Sequence, residues 1–329
     1  NEIDKTPATL NAWTDVDVSG DGVPAGATGV ILRLYNTAAG AIKIAVRKNG
    51  STDTRTPQVM AGEHTGAMVG IDANRIFEAY IDNVAAKVYL IGYTTDGTDF
   101  LLNMVDKSPG TANVWTDEDV SANVPLGATG VIVEIYQTTD YQSDVQGAVR
   151  KKGSTDDIAG LGNIHKPFTH AYQVCGLDAN RVFQAKVSDI LCDVYLVGYF
   201  MPPVTFETNA ISYALAGTGV WTNIAVTGGA SPADADGALW MVKNTSTNTL
   251  YGAGTRKNGS TDESYATIHN WGFSAFFTGL DSSRTAQGKI QNLAVDHYVI
   301  GYAKPAAAAT PSAYIQDLTV TPDATVYIQ

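Results

Sequence analysis

The feature that most constrains this chain is a block of sequence that recurs three times. Each block opens with a Trp-Thr pair, contains an Arg-Lys-x-Gly-Ser-Thr-Asp stretch and closes with a Gly-Tyr pair. The opening residues are Trp13, Trp115 and Trp221, so successive blocks start 115 − 13 = 102 and 221 − 115 = 106 residues apart. Self-similarity at a nearly fixed period indicates one structural unit repeated along the chain. We therefore predict repeats at 1–94, 95–200 and 201–304, followed by a linker and tail at 305–329.

Within a repeat, short apolar segments alternate with turn residues. In the segment that ends at Tyr35, Val30, Leu32 and Leu34 share one side of an extended chain, and Arg33 lies on the other. The Asn-Gly pair at Asn49 is typical of a tight hairpin, and no stretch favours a long helix. The pattern predicts an all-β fold of about eight short strands per repeat. We expect three tandem β-sandwiches of Greek-key or jelly-roll type, plus a C-terminal extension strand.

The composition narrows the range of partners. Charged residues are only 16% of the chain, and the formal net charge is −12. Binding to nucleic acid or anionic lipid requires clustered Lys and Arg, so neither is expected as a partner. No apolar run approaches the ~20 residues of a membrane-spanning helix, so we expect no membrane insertion. The low charge and turn-rich β character favour a secreted protein, located outside the cell or on its surface.

Two cysteines and three sequons mark candidate covalent modifications. Cys175 and Cys192 lie on the predicted strands that flank the strand 181–187. A disulfide between them is expected if those two strands face each other across the sandwich. The Asn-x-Ser/Thr sequons at Asn49, Asn244 and Asn258 are candidate glycosylation sites. Asn49 and Asn258 also precede Gly in a hairpin, where Asn is favoured for backbone reasons.

No group of residues in the sequence points to a metal site or a catalytic centre. The stretch 15–22 starts like a calcium loop, but Gly26 stands where the bidentate Glu would be. His165 and His170 lie close in sequence without a Cys, Asp or Glu to complete a metal shell. No nucleophile, zinc-protease or phosphate-loop motif is present. We therefore expect no metal, no cofactor and no enzymatic activity.

Two turn motifs recur in every repeat. The Arg-Lys-x-Gly-Ser-Thr-Asp stretch covers 47–53, 150–156 and 256–262. We interpret it as a hairpin whose Asp or Thr side chain bonds the turn backbone; the alternative is a repeated ligand site anchored by Arg and Asp. A second motif, Asp-Ala-Asn-Arg at 72–75, has counterparts at 178–181 and 281–284. Its Asp is expected to cap the following backbone, and its Arg to pair with a carboxylate of the same repeat.

The two ends of the chain do not match the repeat. The second and third repeats begin with a strand-like segment at Phe100 and Phe206, most of which the first repeat lacks. The tail 314–329 resembles such an opening strand. Because an incomplete sheet invites strand addition, we expect the tail of one copy to fill the first repeat of the next, which extends into a filament. The alternatives are a floppy tail or one that folds back on the third repeat. The residues predicted to form this contact are Ile3, Tyr314, Ile315, Leu318, Val320, Val326 and Ile328.

The recurring motifs together resemble a tandem β-sandwich repeat of prokaryotic and phage surface proteins. The resemblance covers almost the whole chain, although 234–237 replace the Gly-Ala-Thr-Gly turn of the other repeats. It is also similar to the tandem β-domain subunits of extracellular filaments from environmental samples. The resemblance implies a structural or adhesive role, and it supplies no catalytic residues.

Three functions are compatible with these observations. The first is a non-enzymatic structural subunit of an extracellular or cell-surface filament, with further copies of itself as partners. The second is a phage tail-fibre or virion decoration protein. The third is an array of carbohydrate-binding modules, in which Tyr35 and Tyr136 stack on sugar rings and glycans are the partners.

Overall fold

In the described residues of the computed structural model, β-strands are joined by turns and loops, which confirms the all-β prediction. The described residues are 2–95, 97–138, 145–157, 162–164, 168–229, 231–247, 249–261, 263, 266–268, 270–304 and 326–328. Within these ranges there is no α-helix. Accordingly, no helix of sufficient length and apolarity to cross a membrane occurs in the described part of the chain.

The strands follow the repeat. The first repeat contains β1 (Ile3–Asp4), β2 (Thr14–Asp17), β3 (Gly29–Asn36), β4 (Ile42–Lys48), β5 (Gln58–Val59), β6 (His64–Gly70), β7 (Ile76–Ile81) and β8 (Ala86–Thr94). The second contains β9 (Thr98–Asp106), β10 (Thr116–Asp119), β11 (Gly130–Gln137), β12 (Val145–Lys151), β13 (Gly162–Ile164), β14 (His170–Gly176), β15 (Val182–Val187) and β16 (Cys192–Phe200). The third contains β17 (Thr205–Ser212), β18 (Thr222–Ala225), β19 (Gly237–Asn244), β20 (Tyr251–Lys257), β21 (Ala266–Ile268), β22 (Phe273–Gly279), β23 (Thr285–Ile290) and β24 (Val295–Ala303), and β25 (Val326–Ile328) lies in the tail.

Each repeat contributes two antiparallel sheets with a common strand order. In the second repeat, one sheet has the order β9-β16-β11-β14 and the other β10-β15-β12-β13. We call these the inner sheet and the outer sheet. The first repeat has β1-β8-β3-β6 and β2-β7-β4-β5, and the third has β17-β24-β19-β22 and β18-β23-β20-β21 in the same places. Strand β25 pairs with β22 and extends the third inner sheet by one strand.

Apolar side chains alternate along the strands and fill the space between the two sheets of a repeat. In β7, Phe77, Ala79 and Ile81 are buried, while the residues between them are half-buried. In the second repeat, side chains from β11 and β12 belong to one hydrophobic cluster. Burying a Val, Ile or Phe side chain contributes about 1.5–3 kcal/mol, so this alternation stabilises the pairing of the sheets.

The Asp-Ala-Asn-Arg turn is structural, as expected, but its Arg has a different partner. Asp72 Oδ1 accepts hydrogen bonds from the backbone N of Asn74 and of Ile76, both at 2.9 Å. Arg75 adopts φ 65° and donates to a backbone carbonyl, Val23 O, at 2.9 Å. The predicted carboxylate partner is therefore wrong: the guanidinium satisfies carbonyl groups of a neighbouring loop. Arg181 and Arg284 bond backbone carbonyls in the same way.

The three inner sheets also meet each other. One hydrophobic cluster contains the cross-strand pairs Ile31 and Met68, Ile132 and Val174, and Leu239 and Phe277. These pairs occupy equivalent positions in the three repeats. The repeats are therefore arranged around a common apolar centre, where the outward faces of their inner sheets converge. Ile31, Met68, Leu239 and Phe277 line one small cavity there, so the first and third repeats approach each other directly.

The predicted disulfide is not formed, because its two cysteines lie in one sheet and not in facing sheets. Cys175 pairs with Val131 and Cys192 with Gln137, at opposite ends of β11. Six residues of strand correspond to about 20 Å, far beyond the ~7 Å that a disulfide can bridge between Cα atoms. Both cysteines are buried free thiols, and burial raises the pKa of each.

Candidate functional site

The candidate functional site is the junction between successive repeats, where the Arg-Lys-x-Gly-Ser-Thr-Asp turn holds the opening strand of the next repeat. In the first junction, Lys48 Nζ donates to Phe100 O at 2.9 Å. Asn103 Oδ1 accepts from Ser51 Oγ at 2.9 Å and from the backbone N of Thr52 at 2.8 Å. We call this turn, with the residues that bond the strand, the clasp. It binds a Phe-x-x-Asn segment.

A carboxylate completes the first clasp. Asp53 Oδ2 accepts a hydrogen bond from the backbone N of Met104 at 2.8 Å. Ser51 Oγ also accepts from Asp53 N at 3.1 Å, so the turn is held in shape by its own side chain. The clasp therefore satisfies backbone groups of β9 at a point where the register of β9 against β16 shifts and leaves them without ladder partners.

The second junction repeats this arrangement. Lys151 Nζ donates to Phe206 O at 3.0 Å, and Asn209 Oδ1 accepts from Ser154 Oγ at 3.0 Å and from Thr155 N at 2.9 Å. Asp156 accepts from the backbone N of Ala210. Two copies of the motif thus bind two Phe-x-x-Asn segments through the same atoms. The copies are 103 residues apart, the spacing between Lys48 and Lys151.

The Phe of each segment packs on glycine. A Cβ on Gly70 would lie 2.6 Å from Phe100 Cβ, and a Cβ on Gly176 would lie 2.5 Å from Phe206 Cβ. Such spacing leaves no room for a side chain, so these two glycines are required for the close approach of the opening strand. Phe100 and Phe206 are both buried.

The Arg of the motif contacts the Trp ring at the start of the same repeat and supports the clasp. Arg47 lies over the ring of Trp13 at 4.2 Å, and Arg150 lies over Trp115 at 4.1 Å. Arg150 NH1 donates to Asp156 O at 2.6 Å, and desolvation lowers the pKa of its guanidinium. These cation–π contacts explain why Trp and the Arg-Lys pair recur together: each Trp supports the turn that binds the following repeat.

The two junctions differ beside the clasp. In the first, Arg55 lies 3.9 Å from the centroid of the Tyr195 ring, and its Nε is 3.7 Å from Glu134 Oε2. Glu134 is buried and its Oε1 lies 2.5 Å from His170 Nδ1. In the second junction, the positions of Glu134 and His170 are taken by Met241 and Phe273. Those two side chains form an apolar cluster with Ala148 of the preceding repeat.

A small cavity lies at the second junction, between the clasp and the third repeat. Lys151, Asp156 and Gln173 line it together with Glu207 and Met241. Its volume is about 50 Å³, enough for a few water molecules and well below the ~300 Å³ at which small-molecule sites begin. The polar groups at the junctions therefore bind other parts of the protein, and the cavity does not offer them to a substrate-sized ligand.

Among the described residues, the first repeat holds a shorter opening strand than the other two repeats do. Strand β1 pairs with β8 at Ile3 and Asp4 only, opposite Leu90 and Tyr89. In the second repeat, the equivalent strand also pairs Thr98 to Phe100 with the end of β16. A Cβ on Gly92 of β8 would meet nothing but the Ile31 side chain, at 3.5 Å, whereas a Cβ on its counterpart Gly301 would lie 2.6 Å from Thr205 O. Among the described residues, the groove beside Gly92 is therefore vacant.

The predicted assembly residues are only partly described. Ile3 lies on β1, and the backbone of Val326 and Ile328 belongs to β25, which pairs with β22 of the same chain. This pairing corresponds to the alternative in which the tail folds back on the third repeat. Three strands of the other repeats also lie near it: β6, β3 and β14. Tyr314, Ile315, Leu318 and Val320 lie outside the described residues, so their contacts stay a prediction.

The sequons differ in accessibility. Asn244 is fully buried, and its Nδ2 donates to Thr249 O at 2.8 Å and to Ile268 O at 2.9 Å. A glycan there would require the loss of both bonds. Asn49 Nδ2 and Asn258 Nδ2 donate to Asp72 and Asp281 at 2.9 and 2.7 Å, on half-buried turns. Modification at any of the three stays a prediction.

The remaining candidates from the sequence are the possible metal sites and the possible sugar platform. Within the described ranges, no three His, Cys, Asp or Glu side chains come together as a metal site. In the stretch 15–22, Asp17 Oδ1 accepts a hydrogen bond from Ser19 N at 2.7 Å, as a turn cap does. His165 lies outside the described residues. Tyr35, the candidate sugar platform, has the Arg33 guanidinium over its ring at 5.4 Å.

Sequence reasoning identified the clasp motif but not its role. The motif predicts a hairpin whose Asp or Thr side chain bonds the turn backbone. In the structure, Ser51 Oγ makes that bond, and the Thr52 and Asp53 side chains bond Asn103 and Met104 of the next repeat. The motif also binds a strand that follows 52 residues later in the chain. The residues of the motif alone do not indicate this contact. The available signal was the Phe-x-x-Asn pattern, which recurs at Phe100 and Phe206 in the two repeats that follow a clasp.

No protein-family model matches the chain, and no curated protein matches it either. One similar solved structure comes from the atomic structure of Sulfolobus turreted icosahedral virus, with 11% identity, 93% of this chain and 90% of that chain covered, and a TM-score of 0.26. Another comes from work on the triple jelly-roll fold and turret assembly in an archaeal virus, with 11% identity, 92% and 89% covered, and a TM-score of 0.28. At TM-scores this low, neither likeness carries an argument about this chain.

Proposed function

We propose that this chain is a non-enzymatic structural subunit of an extracellular or cell-surface filament, built of three tandem jelly-roll sandwiches. Copies join head to tail when the tail of one completes the first repeat of the next. The common strand order of the three sheet pairs supports the jelly-roll assignment. The groove beside Gly92 supports the mode of assembly, because the second and third repeats hold a strand at that place and no strand of the described residues lies there in the first.

The geometry of the existing junctions explains how such a contact would form. In each, the opening strand leaves the preceding repeat, is bound by its clasp and pairs with the inner sheet of the following repeat. In the proposal, the tail that follows the third repeat enters the first repeat of another copy in the same way. Such a contact is heterologous, so it repeats along an axis unless the ring closes. The partner in this proposal is the chain itself.

The experiment compares filament formation by the wild type, a variant lacking 314–329 and Gly92→Ala. The Gly92→Ala side chain has room in the isolated chain but fills the groove, so both variants are expected to remain folded monomers. Negative-stain microscopy and sedimentation velocity measure the result. Leu126→Ala is the matched surface control, since Leu126 is exposed and belongs to the second repeat. Persistence of filaments in either test variant would refute the proposal.

A further inference from the structure

The core of the third repeat contains a pair of polar rings at positions where the other two repeats have aliphatic side chains. Trp240 on β19 and His297 on β24 are both fully buried, and their rings meet edge to face with centroids 6.1 Å apart. The equivalent buried side chains of the other repeats are Leu32 and Val88 in the first and Val133 and Val194 in the second. The ring pair therefore distinguishes the third core from the other two.

A glycine makes room for these rings. Gly288 lies on β23 at the position where the other repeats have the buried Ala79 and Ala185. A Cβ on Gly288 would lie 3.2 Å from His297 Nε2 and 2.7 Å from Ile224 Cδ1, so it would push against both side chains. The smaller residue on β23 therefore compensates for the larger ones on β19 and β24, and the third core is packed around the imidazole.

The contacts of His297 favour a neutral ring. Its Nε2 lies 3.1 Å from Gly254 O. A carbonyl oxygen only accepts hydrogen bonds, so Nε2 carries the hydrogen, and Nδ1 is the acceptor nitrogen of the neutral imidazole. Among the described residues, neither His297 Nδ1 nor Trp240 Nε1 has a hydrogen-bond partner. A proton added at Nδ1 would therefore place a charge and an unsatisfied donor in the core, which costs free energy.

In the described part of the third repeat, no charged side chain faces this imidazole. Its titratable neighbours are Tyr213, whose ring lies 5.9 Å from that of Trp240, and Tyr302 of the same hydrophobic cluster. Of the charged residues on the surrounding strands, Glu207 lines the cavity at the second junction, and Lys257 is exposed at the end of β20. Because side chains alternate between the two faces of a strand, the others lie on the opposite faces. These are Lys243, Arg256, Lys289 and Asp296.

Burial makes the third repeat depend on pH. Desolvation lowers the pKa of His297 from its ordinary 6.5 to about 4, and the bond to Gly254 O opposes this shift only in part. In the unfolded chain the ring regains its ordinary pKa, so the unfolded state binds the proton more readily as the pH falls below 6.5. The stability of the third repeat is therefore full above pH 6.5 and is lost progressively as the pH falls toward 4. Val88 and Val194 give the other repeats no such dependence at this position.

We propose that the buried pair of Trp240 and His297 makes the third repeat the acid-sensitive unit of the chain, a switch that loosens this repeat before the other two. The third repeat approaches the first at the common apolar centre, and its strand β22 pairs with the tail strand β25. Acid therefore acts where the third repeat meets the first and where the tail strand is bound. The inference concerns single chains, goes beyond the proposed function and does not depend on filament formation.

The test compares hydrogen–deuterium exchange of β19 and β24 with that of the equivalent β11 and β16 in the full-length chain, corrected for the intrinsic pH dependence of exchange. From pH 7 to pH 5, protection of the third-repeat amides should fall about 20-fold, the factor expected for a pKa of about 4 in the folded state and 6.5 in the unfolded state. His297→Gln keeps an N–H donor of similar size and does not titrate, so its third repeat should lose no more protection than its second. Gly217→Ala is the control in the third repeat, because a Cβ there meets nothing within 4 Å, and it should behave as the wild type does.

Equal losses of protection in the second and third repeats of the wild type would overturn the proposal, and so would an unchanged pH dependence in His297→Gln. If His297→Gln does not fold, an NMR titration of the wild-type imidazole, assigned through its contact with Trp240, decides the question. A ring that stays neutral down to about pH 4 in the folded chain supports the proposal, and a ring that gains its proton near pH 6.5 without loss of structure overturns it. Neither measurement involves filaments, so its result is separate from the test of the proposed function.

Discussion

The first and second junctions use one clasp but surround it with opposite chemistry. Both clasps bind a Phe-x-x-Asn strand through the same atoms and nearly the same distances. Beside them, the first junction buries Glu134 with His170 and Arg55, and the second packs Met241 and Phe273 on Ala148. The clasp binds backbone groups and one side-chain oxygen of the opening strand. It therefore tolerates different side chains on the neighbouring face of the inner sheet. The clasp therefore explains what the junctions share, and the sheet face explains how they differ.

The largest expected effect comes from removing the ring that both junctions share. Phe100→Ala and Phe206→Ala should each lower the free energy of unfolding by about 3–5 kcal/mol, because truncation of a buried Phe leaves a cavity. Chemical denaturation monitored by Trp fluorescence measures both variants. If the shared clasp dominates the junctions, the two losses should agree within about 2 kcal/mol, the spread found for the same truncation at different buried sites. A loss at only one junction would show that the flanking chemistry dominates instead.

The next effect tests the difference between the junctions. His170→Ala should destabilise the chain by about 3 kcal/mol, because it leaves the buried Glu134 carboxylate with only the more distant Arg55. The double variant Glu134→Met with His170→Phe copies the second junction into the first. It should be less destabilised than His170→Ala, because no carboxylate is left buried without a partner and Arg55 keeps Asp53 Oδ2 at 3.5 Å.

Salt dependence provides the control for this pair of variants. The unfolding free energies of the wild type and the double variant should respond to ionic strength almost equally, because a buried cluster is screened much less than surface charges are. If the double variant is as destabilised as His170→Ala, the charged cluster is not interchangeable with the apolar one. Each junction would then require its own set of side chains beside the clasp.

Much of the fold was predictable from sequence, because it depends on local periodicity. Alternation at Val30, Leu32 and Leu34 predicts β3, and the Trp-to-Trp spacing predicts where the strand pattern repeats. Features that depend on strand order were not predictable. Cys175 and Cys192 lie on neighbouring segments in sequence, yet β11 separates them in the sheet. The clasp was missed for the same reason: its ligand lies in the next repeat, and a motif does not encode a contact 52 residues away.

The smallest expected effect isolates the polar half of the clasp. Asn103→Ala and Asn209→Ala should each cost about 1–2 kcal/mol, because Oδ1 accepts bonds from a Ser hydroxyl and a Thr amide that then lose their partner. Asn103→Asp and Asn209→Asp keep the acceptor and should cost less than the Ala variants. Thermal unfolding of the four variants measures this ordering. Asp variants as unstable as the Ala variants would mean that the clasp needs the amide itself.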